Sequence, residues 1–344
     1  MALIEYDLLG NKTDKVQMAI EMLQHFEPQE GYYVAYSGGK DSVVVASLVA
    51  RGGCKHDIHY NVTTVDPPEL VRFIISQFDT VIYHLVDGTE RIYSTHGERL
   101  LNPSNEIAGR VIHFEIPELP MRKLIVKKKF PPTRLLRYCC QDLKEINGQY
   151  RVVVTGVRWA ESKSRKDNQG RVTIFSGKAG KVAEEVGANF SETTRGGVVL
   201  NSDNTETREV VERCYRLHKT LVNPIVDWTD EDIWEYIRRE KLPYCKLYDE
   251  GLTRLGCIGC PLGNFNNMRR ELERWPAYKK MYIAAFDEML KARLESGKTN
   301  HNRMFTDGEG IMKWWIGMDQ QKVDENQINV FELLEEETGV QNES

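Results

Sequence analysis

A run of six residues, Ser37-Gly38-Gly39-Lys40-Asp41-Ser42, combines the groups that bind a phosphate. The two glycines let the chain turn tightly and bring backbone N–H groups against an anion. The serine hydroxyls add hydrogen-bond donors, and Lys40 adds a positive charge. An apolar stretch precedes the run and another follows it, which predicts a strand, a phosphate-binding loop and a helix N-terminus. The run has neither the dinucleotide spacing G-x-G-x-x-G nor the Walker spacing G-x-x-x-x-G-K-[ST].

Four of the seven cysteines form two pairs whose spacing is typical of a metal or iron–sulfur site. Cys257 and Cys260 make a C-x-x-C pattern, in which two thiolates can reach one metal ion or cluster. Cys139 and Cys140 are adjacent, and because neighbouring side chains diverge they suit a larger Fe–S cluster better than one tetrahedral ion. A zinc site of four cysteines, a redox pair and structural cysteines without a metal stay open as alternatives.

Single polar residues near the predicted strand ends could take part in nucleotide chemistry. Arg158 could bind a phosphate or a sulfate-like group with two hydrogen bonds. Glu161 could orient Arg158 or contact magnesium, and it could equally form a surface salt bridge. Asp66 could accept a hydrogen bond from a ribose or cap the following helix. Asp41 could help to hold a magnesium ion that screens phosphate charge.

Strands and helices alternate through the first half of the chain, which predicts an α/β fold with a doubly wound, mostly parallel sheet. Ligands bind beyond the carboxyl ends of the strands in such sheets, and the phosphate loop, Ser37–Ser42, follows such an end. The predicted strands are 32–36, 57–63, 80–86 and 151–157, and the predicted helices are 13–27, 42–51 and 67–78.

The second half of the chain contains a polar segment and a helical region. Residues 167–210 are rich in Gly, Ser, Asn, Thr and charge, and we interpret them as an insertion or a mobile lid. Residues 222–240 predict a helix that Thr229 caps, with Asp232 three residues later. The pattern from 265 to 320 is mainly helical.

These patterns divide the chain into two parts. Residues 1–262 form the nucleotide-binding α/β domain, with the insertion at about 167–210. Residues 263–344 form a helical C-terminal region, whose acidic tail begins at Glu332.

Composition and charge limit the classes of function. With 41% apolar and 28% charged residues, the chain has the composition of a globular protein. It has no apolar run of membrane-spanning length and no signal-peptide pattern at 1–30, so we expect a cytoplasmic protein with no membrane partner. Disulfides are not expected there. The net charge of −5 argues against a uniformly basic nucleic-acid binder, although two local clusters could bind a polyanion. One cluster is Arg122, Lys123, Lys127, Lys128, Lys129, Arg134 and Arg137, and the other is Lys163, Arg165 and Lys166.

The phosphate loop resembles the PP-loop of the ATP pyrophosphatase superfamily, whose members cleave ATP to AMP and pyrophosphate. Together with the cysteine pairs, it is similar to the adenylyl-sulfate (APS) and phosphoadenylyl-sulfate (PAPS) reductases and their relatives. In that family CC…CxxC holds a [4Fe–4S] cluster. Three further blocks resemble the family, namely Gly156-Val157-Arg158-Trp159-Ala160-Glu161-Ser162 with Arg165, Asn223-Pro224-Ile225 with Trp228, Asp232 and Trp234, and Arg254-Leu255-Gly256-Cys257-Ile258-Gly259-Cys260-Pro261.

The resemblance implies a role for each matching residue. Lys40, Asp41 and Arg158 would be catalytic, with Mg²⁺ as a cofactor and ATP as the substrate. Cys139, Cys140, Cys257 and Cys260 would bind the cluster. The nucleotide-binding set would be Ser37, Gly38, Gly39, Lys40, Asp41, Ser42, Asp66, Gly156, Arg158, Glu161 and Arg165.

The sequence departs from the reductases at its end. Those enzymes use a cysteine in a C-terminal K-x-E-C-G-[IL]-H segment to attack the substrate sulfur, whereas this sequence ends EETGVQNES. The motif pattern is therefore closer to DNA phosphorothioation proteins of the DndC and SspD type. That resemblance implies an ATP pyrophosphatase that adenylates a DNA phosphate for sulfur transfer, with DNA and a cysteine desulfurase or another sulfur-system protein as partners.

Other functions stay open. A sulfonucleotide reductase would need a different thiol, from Cys214, Cys245 or a partner protein. A PP-loop thiolase or ligase for tRNA or a small molecule, or a protein that senses nucleotides without catalysis, is the third interpretation. The sequence is also compatible with a homo-oligomer.

Overall fold

The computed structural model describes residues 3–6, 12–94, 111–176, 178–194, 196–215, 219–296 and 305–318. The chain divides into two compact units. Unit 1 consists of residues 1–118 and 140–256, and unit 2 of residues 119–139 and 257–344. The predicted acidic tail from Glu332 lies outside the described residues.

Unit 1 contains all the described strands. They are β1 Ile4–Tyr6, β2 Lys12–Asp14, β3 Tyr32–Ala35, β4 His56–Asn61, β5 Thr80–His84, β6 Glu90–Ser94, β7 Val111–Glu115, β8 Val152–Val154, β9 Val172–Ile174, β10 Ser191–Glu192, β11 Val198–Leu200 and β12 Thr220–Val222. Strands β1 and β2 pair separately, and the other ten form one sheet in the order β10-β11-β9-β12-β8-β3-β4-β7-β5-β6. Every pair from β12 to β5 is parallel, whereas both edges are antiparallel. The predicted doubly wound, mostly parallel sheet is confirmed.

Sequence features explain how the helices of unit 1 pack and where they begin. Helix α2 buries Val43, Val44 and Leu48 completely, as expected of a helix packed on a sheet. Helix α9 begins at a capping box between Thr229 and Asp232, as predicted. The described helices are α1 Lys15–His25, α2 Lys40–Arg51, α3 Pro68–Ser76, α4 Met121–Lys128, α5 Tyr138–Cys140, α6 Lys163–Asn168, α7 Ala179–Val186, α8 Thr205–Cys214, α9 Asp230–Arg239, α10 Phe265–Arg274, α11 Pro276–Glu295 and α12 Gly308–Trp315.

The polar segment 167–210 differs from the prediction, because much of it belongs to the sheet. Strands β9 and β11 pair with each other, and β9 also pairs with β12. Val172, Ile174 and Leu200 are fully buried. The expectation that this whole segment lies outside the core is wrong, since the short runs VTI and VVL are buried and extend the sheet.

A row of three histidines crosses one face of the sheet in unit 1. His59 on β4 stacks on His113 of β7 at 4.7 Å, and His113 stacks on His84 of β5 at 5.0 Å. The ring nitrogens of His59 contact carboxylate oxygens of Asp57 and Glu115. His84 Nε2 and His113 Nδ1 lie 2.8 Å apart and share a hydrogen bond. We call His59, His113 and His84 the histidine row.

Unit 2 is helical around an aromatic core. Tyr282 and Phe286 of α11 contact the indole of Trp315 at ring-centroid distances of 4.8 and 5.5 Å. The Trp315 indole N–H donates to the Pro132 carbonyl oxygen at 2.7 Å. Arg293 donates to the carbonyl oxygen of Lys129, also at 2.7 Å, and these contacts tie residues 119–139 to α11 and α12.

The compact unit therefore differs from the boundary drawn from the sequence. The second segment of unit 2 begins at Cys257, whereas the sequence predicts a boundary at 263. Unit 2 also includes residues 119–139, which the sequence analysis assigns to the α/β domain. The reason is that α4 pairs with α11, as the Arg122–Glu288 ion pair shows. Among the described residues, no helix has the length and apolar character needed to cross a membrane.

Candidate functional site

The phosphate loop connects β3 to α2 and needs glycine at its turn. Gly38 has φ +73°, and a Cβ placed there would lie 2.6 Å from Cγ1 of Ile74 and 2.9 Å from a methyl group of Leu70. Only glycine fits such a position. Gly39 is the N-cap residue of α2, and it has no side chain that could accept a hydrogen bond from the first backbone N–H groups of the helix. The N-terminus of α2 therefore faces the phosphate loop without a capping side chain.

The two serines of the loop hold its shape. The Ser42 hydroxyl donates to the Gly39 carbonyl oxygen at 2.8 Å, and Ser37 N–H donates to the Ser42 oxygen at 3.2 Å. Ser37 is exposed, whereas Ser42 is buried. Ser42 is therefore part of the loop's internal structure, and Ser37 is the hydroxyl that a ligand can reach.

Two cations converge beside the loop. Lys40 Nζ lies 3.2 Å from Asp41 Oδ2, and Arg158 Nε donates to Asp41 Oδ1 at 2.7 Å. Both cations also contact Asp230 Oδ1, Lys40 Nζ at 3.0 Å and Arg158 Nη2 at 2.8 Å. Arg158 Nη1 donates to the Trp228 carbonyl oxygen, which fixes the plane of the guanidinium. The structure thus brings together the three residues predicted to be catalytic.

The charges of this network reinforce one another. Burial would lower the pKa of Arg158, but Asp41 and Asp230 outweigh burial and raise it. Burial would likewise raise the pKa of Asp230, but Lys40 and Arg158 lower it. Arg158 and Asp230 are therefore both charged at neutral pH, so the guanidinium of Arg158 is a fixed positive charge beside the phosphate loop.

Gly156 lets Asp41 approach the strand end. A Cβ on Gly156 would lie 3.0 Å from the carbonyl carbon and the Cβ of Asp41, closer than nearly all natural contacts. Gly156 therefore acts as a spacer that admits α2, which is a more specific role than the ligand contact expected from the sequence.

Tyr248 and Asp230 belong to the site, and sequence reasoning missed both. The backbone N–H of Lys40 donates to the Tyr248 hydroxyl oxygen at 3.0 Å, and burial raises the pKa of that phenol. Tyr248 follows α9 in a 3₁₀ turn, where no spacing links it to the loop. Asp230 could have been found, since a carboxylate at the first residue of a capped helix is a recognisable pattern.

Three of the four predicted cluster cysteines lie in unit 2. Burial, and then the nearby thiol groups of Cys257, Cys139 and Cys260, raise the pKa of Tyr282. The Tyr282 hydroxyl donates to the Ile258 carbonyl oxygen at 2.9 Å, inside the C-x-x-C turn. Gly259 in that turn has φ +69°, and a Cβ there would lie 3.2 Å from the Trp315 ring. The three cysteines are therefore near enough to the buried phenol to raise its pKa.

Cys140 is the first residue of the second segment of unit 1. All seven cysteines lie among the described residues, and none forms a disulfide. Within the described part of the chain, no three His, Cys, Asp or Glu side chains are arranged so that they could hold a metal ion. The cluster ligand set, Cys139, Cys140, Cys257 and Cys260, stays a prediction.

A family model described as the phosphoadenosine phosphosulfate reductase domain matches residues 31–262, from β3 through the C-x-x-C pair. The chain belongs to this family. Its matched region contains the phosphate loop, Arg158 and Asp230, so the network described above lies wholly inside the family's domain.

Individual relatives match shorter stretches. The PAPS reductase of Xylella fastidiosa is 36% identical over 96 residues, which cover 28% of this chain and 38% of that protein. The APS reductase of Staphylococcus haemolyticus is 30% identical over 97 residues, covering 26% and 40%. The chain thus spans about two fifths of the length of these relatives. The crystal structure of PAPS reductase from Candida auris is 13% identical, covers 74% of this chain and 97% of that chain, and has a TM-score of 0.34.

Three predicted nucleotide-binding residues of this PAPS reductase-domain protein have structural partners. Glu161 accepts from the Arg158 backbone N–H at 3.2 Å and forms an ion pair with Arg165, so both support the turn after Arg158. Asp66 accepts from the Tyr60 hydroxyl, and it precedes Pro67, the N-cap residue of α3.

The basic cluster before Cys139 is partly structural. Arg122 forms an ion pair with Glu288. Arg134 donates to the carbonyl oxygens of Pro261 and Gly263. Lys127 is exposed. A polyanion that bound Arg122 or Arg134 would therefore compete with contacts inside unit 2.

Proposed function

We propose that this protein binds an adenine nucleotide at the phosphate loop and acts on a sulfonucleotide, APS or PAPS. The observation that carries the proposal is the pair of buried cations, Lys40 and Arg158, beside the N-terminus of α2 within the matched domain. The two curated relatives are named as reductases of such nucleotides. Their names support this function over DNA phosphorothioation, the function that we favoured from the sequence.

The site has the charges that this chemistry needs. The attacking thiolate would come from a partner dithiol, because Cys214 and Cys245 are buried. When that thiolate bonds to the sulfonate sulfur, the S–O bond to the phosphate breaks and its electron pair stays on the phosphate oxygen; the second thiol of the dithiol then forms a disulfide and releases sulfite. Fixed cations and helix N–H groups stabilise that growing negative charge. Lys40 and Arg158 are already held in place by Asp41, so little reorganisation is needed when the nucleotide binds.

The cluster of the proposed enzyme would be held by Cys139, Cys140, Cys257 and Cys260. Three of these cysteines raise the pKa of the Tyr282 phenol, which indicates that they lie near it, and Cys140 follows Cys139 in the chain; both observations support the proposal. When bound, a [4Fe–4S] cluster can carry an electron and cross-link the segments that supply its ligands. The chain's own part is to bury the C-x-x-C turn against Tyr282 and Trp315.

A second candidate is an ATP pyrophosphatase that serves sulfur transfer, with Mg²⁺ near Asp41. The burial of the remaining thiols favours it. Cys214 and Cys245 are 0% and 1% exposed, and burial raises the pKa of each thiol, so neither is an accessible nucleophile. DNA and a cysteine desulfurase would be the partners of this candidate, and the exposed lysines of the basic cluster would contact the DNA.

One set of incubations separates the two candidates. Anaerobically reconstituted protein is mixed with APS, PAPS or ATP, with a dithiol as reductant and Mg²⁺ present. Sulfite release from APS or PAPS supports the reductase, whereas pyrophosphate release from ATP that DNA stimulates supports the second candidate. Lys40→Ala should abolish either product, and Lys181→Ala, at an exposed lysine on α7, should leave it unchanged. Neither product from the wild-type protein would refute both candidates.

The metal is tested on the same preparation. A [4Fe–4S] site predicts about four irons per chain and a broad absorption near about 400 nm. Cys257→Ser should lose the iron, and Cys54→Ser, at a buried thiol that we assign to no site, should keep it. Zinc in place of iron would refute the proposed cluster and leave the nucleotide site untouched.

A further inference from the structure

One carboxylate oxygen of Asp230 contacts both cations of the phosphate site, Lys40 and Arg158. This oxygen, Oδ1, lies 3.0 Å from Lys40 Nζ and 2.8 Å from Arg158 Nη2. The side chains of Lys40 and Arg158 are 8% and 2% exposed, whereas that of Asp230 is 63% exposed. The cations are therefore held in the protein, and the carboxylate that pairs with them is open to solvent.

Asp41, the other carboxylate of the network, is held more firmly. Its side chain is 21% exposed, and it accepts from Arg158 Nε at 2.7 Å. Its backbone and Cβ pack closely against Gly156, where an added Cβ would lie 3.0 Å from them. Asp41 is therefore the more firmly held carboxylate, and Asp230 is the one that a bound anion can displace.

The position of Asp230 lowers the free-energy cost of separating its carboxylate from the two cations. It is the first residue of α9, after the Thr229 N-cap, where the helix N-terminus stabilises a carboxylate with or without a cation beside it. Lys40 and Arg158 are buried, and when Asp230 leaves they share Asp41 as their one remaining carboxylate partner in this network. A bound anion of sufficient charge can therefore take the place of the Asp230 carboxylate.

We propose that Asp230 is a specificity-determining residue of the nucleotide site, whose carboxylate occupies the place of a ligand's phosphate oxygen until a multiply charged anion displaces it. The proposal rests on the proposed nucleotide-binding function. It predicts selection by charge, because a singly charged anion gains no more from the two cations than the carboxylate already does. Pyrophosphate or the phosphate chain of a nucleotide carries several negative charges, so it is attracted to the two cations more strongly than the Asp230 carboxylate is and displaces it.

The test is titration calorimetry with inorganic pyrophosphate, using the full chain and Asp230→Asn in buffer with a metal chelator. Removing the competing carboxylate should tighten pyrophosphate binding about tenfold, which corresponds to about 1.4 kcal/mol. The same change should let a singly charged anion such as nitrate compete with pyrophosphate, which it does not do in the wild-type protein. Asp227→Asn, three residues earlier and paired with Arg171, is the matched control and should not change the affinity.

Each other outcome refutes the proposal in a recognisable way. Unchanged or weaker pyrophosphate binding in Asp230→Asn refutes it, and weakening seen only with added Mg²⁺ would make Asp230 a metal ligand instead. Asp230→Ser, which also suits the start of a helix, replaces Asp230→Asn if that variant does not fold. Pyrophosphate binding that Lys40→Ala abolishes but Asp230→Asn leaves unchanged keeps the nucleotide site and removes only this role. No binding by the wild-type protein would refute both.

Discussion

The phosphate loop and His59 of the histidine row both place a cationic side chain against carboxylates in unit 1, but they differ in what those carboxylates can do. At the loop, Asp230 is 63% exposed and sits at a helix end. In the row, His59 lies between Asp57 on its own strand and Glu115 on the neighbouring strand, and the sheet register fixes both. A carboxylate that can move away from its cations lets an anion bind in its place. Carboxylates that the sheet register holds in position stabilise the fold instead.

The neighbours of the two regions support the same distinction. The His59 ring also stacks on Tyr33 at 3.8 Å, and Asp57 pairs with Arg151 at 2.6 Å. Each charge in the row is therefore balanced by groups on the sheet or next to it. At the loop, two buried cations lie beside the N-terminus of α2, and the Asp230 side chain that pairs with them is mostly exposed to solvent.

The largest effect is expected at Arg158, where the comparison predicts that binding and stability fall together. Arg158→Lys keeps the charge but cannot reach Asp41, Asp230 and the Trp228 carbonyl oxygen at once. We expect pyrophosphate binding to weaken about a hundredfold and the free energy of unfolding to fall by about 3 kcal/mol. Calorimetry and urea denaturation measure these two quantities.

Arg171→Lys is the control for Arg158→Lys, because Arg171 pairs with Asp227 near the surface of the same unit. It should change binding little and stability by under about 1 kcal/mol. If Arg158→Lys lost stability but kept its affinity for pyrophosphate, Arg158 would be a structural residue like His59, and the comparison would fail.

At the histidine row, stability alone should change. His59→Gln removes the imidazolium and leaves Asp57 and Glu115 without their shared partner. We expect the free energy of unfolding to fall by about 2 kcal/mol, while pyrophosphate affinity stays within about twofold of the wild-type value. His25→Gln, on α1, is the control and should cost little. A large loss of affinity in His59→Gln would show that the row takes part in the nucleotide site.

The sequence predicts the loop and not the row, for a physical reason. The residues of the phosphate loop are adjacent in the sequence, so the spacing of Gly38, Lys40 and Ser42 is enough to predict a phosphate-binding site. Arg158 could be placed because it follows a strand, and parallel strands end at the same edge. The row is formed by side chains from β4, β5 and β7, and its existence depends on a register that one sequence does not give.

The same limit explains the errors in the fold. The α/β alternation and the start of α9 are local patterns and were predicted correctly. Strand β7 was missed because VIHFE is short and contains two polar residues, and β9 and β11 were missed because VTI and VVL are three-residue runs in a polar segment that resembles a loop. The grouping of 119–139 with unit 2 depends on contacts such as Trp315 with Pro132, which lie far apart in sequence.

A smaller effect should appear in the pH dependence of stability. Burial would lower the pKa of His59, but Asp57 and Glu115 raise it above the usual 6.5. A raised folded-state pKa gives stability that is fully present below pH 6.5 and is lost as the pH rises through the folded-state value. The stability difference between wild type and His59→Gln should therefore be larger at about pH 6 than at about pH 9. Denaturation curves at the two pH values measure it, and an equal or reversed difference would show that His59 is uncharged in the folded protein.

The smallest effect is expected at Tyr248, which tests whether the loop's N–H groups are as available as its cations. Tyr248→Phe removes the acceptor of the Lys40 backbone N–H. The ligand-free protein should lose about 1 kcal/mol of stability, and pyrophosphate should bind up to about threefold more tightly because the N–H has no bond to give up. Tyr244→Phe, whose hydroxyl contacts Asp249 at the surface, should do neither. Weaker binding in Tyr248→Phe would mean that the phenol itself contacts the ligand, so that the loop, like the histidine row, depends on a partner fixed by tertiary structure.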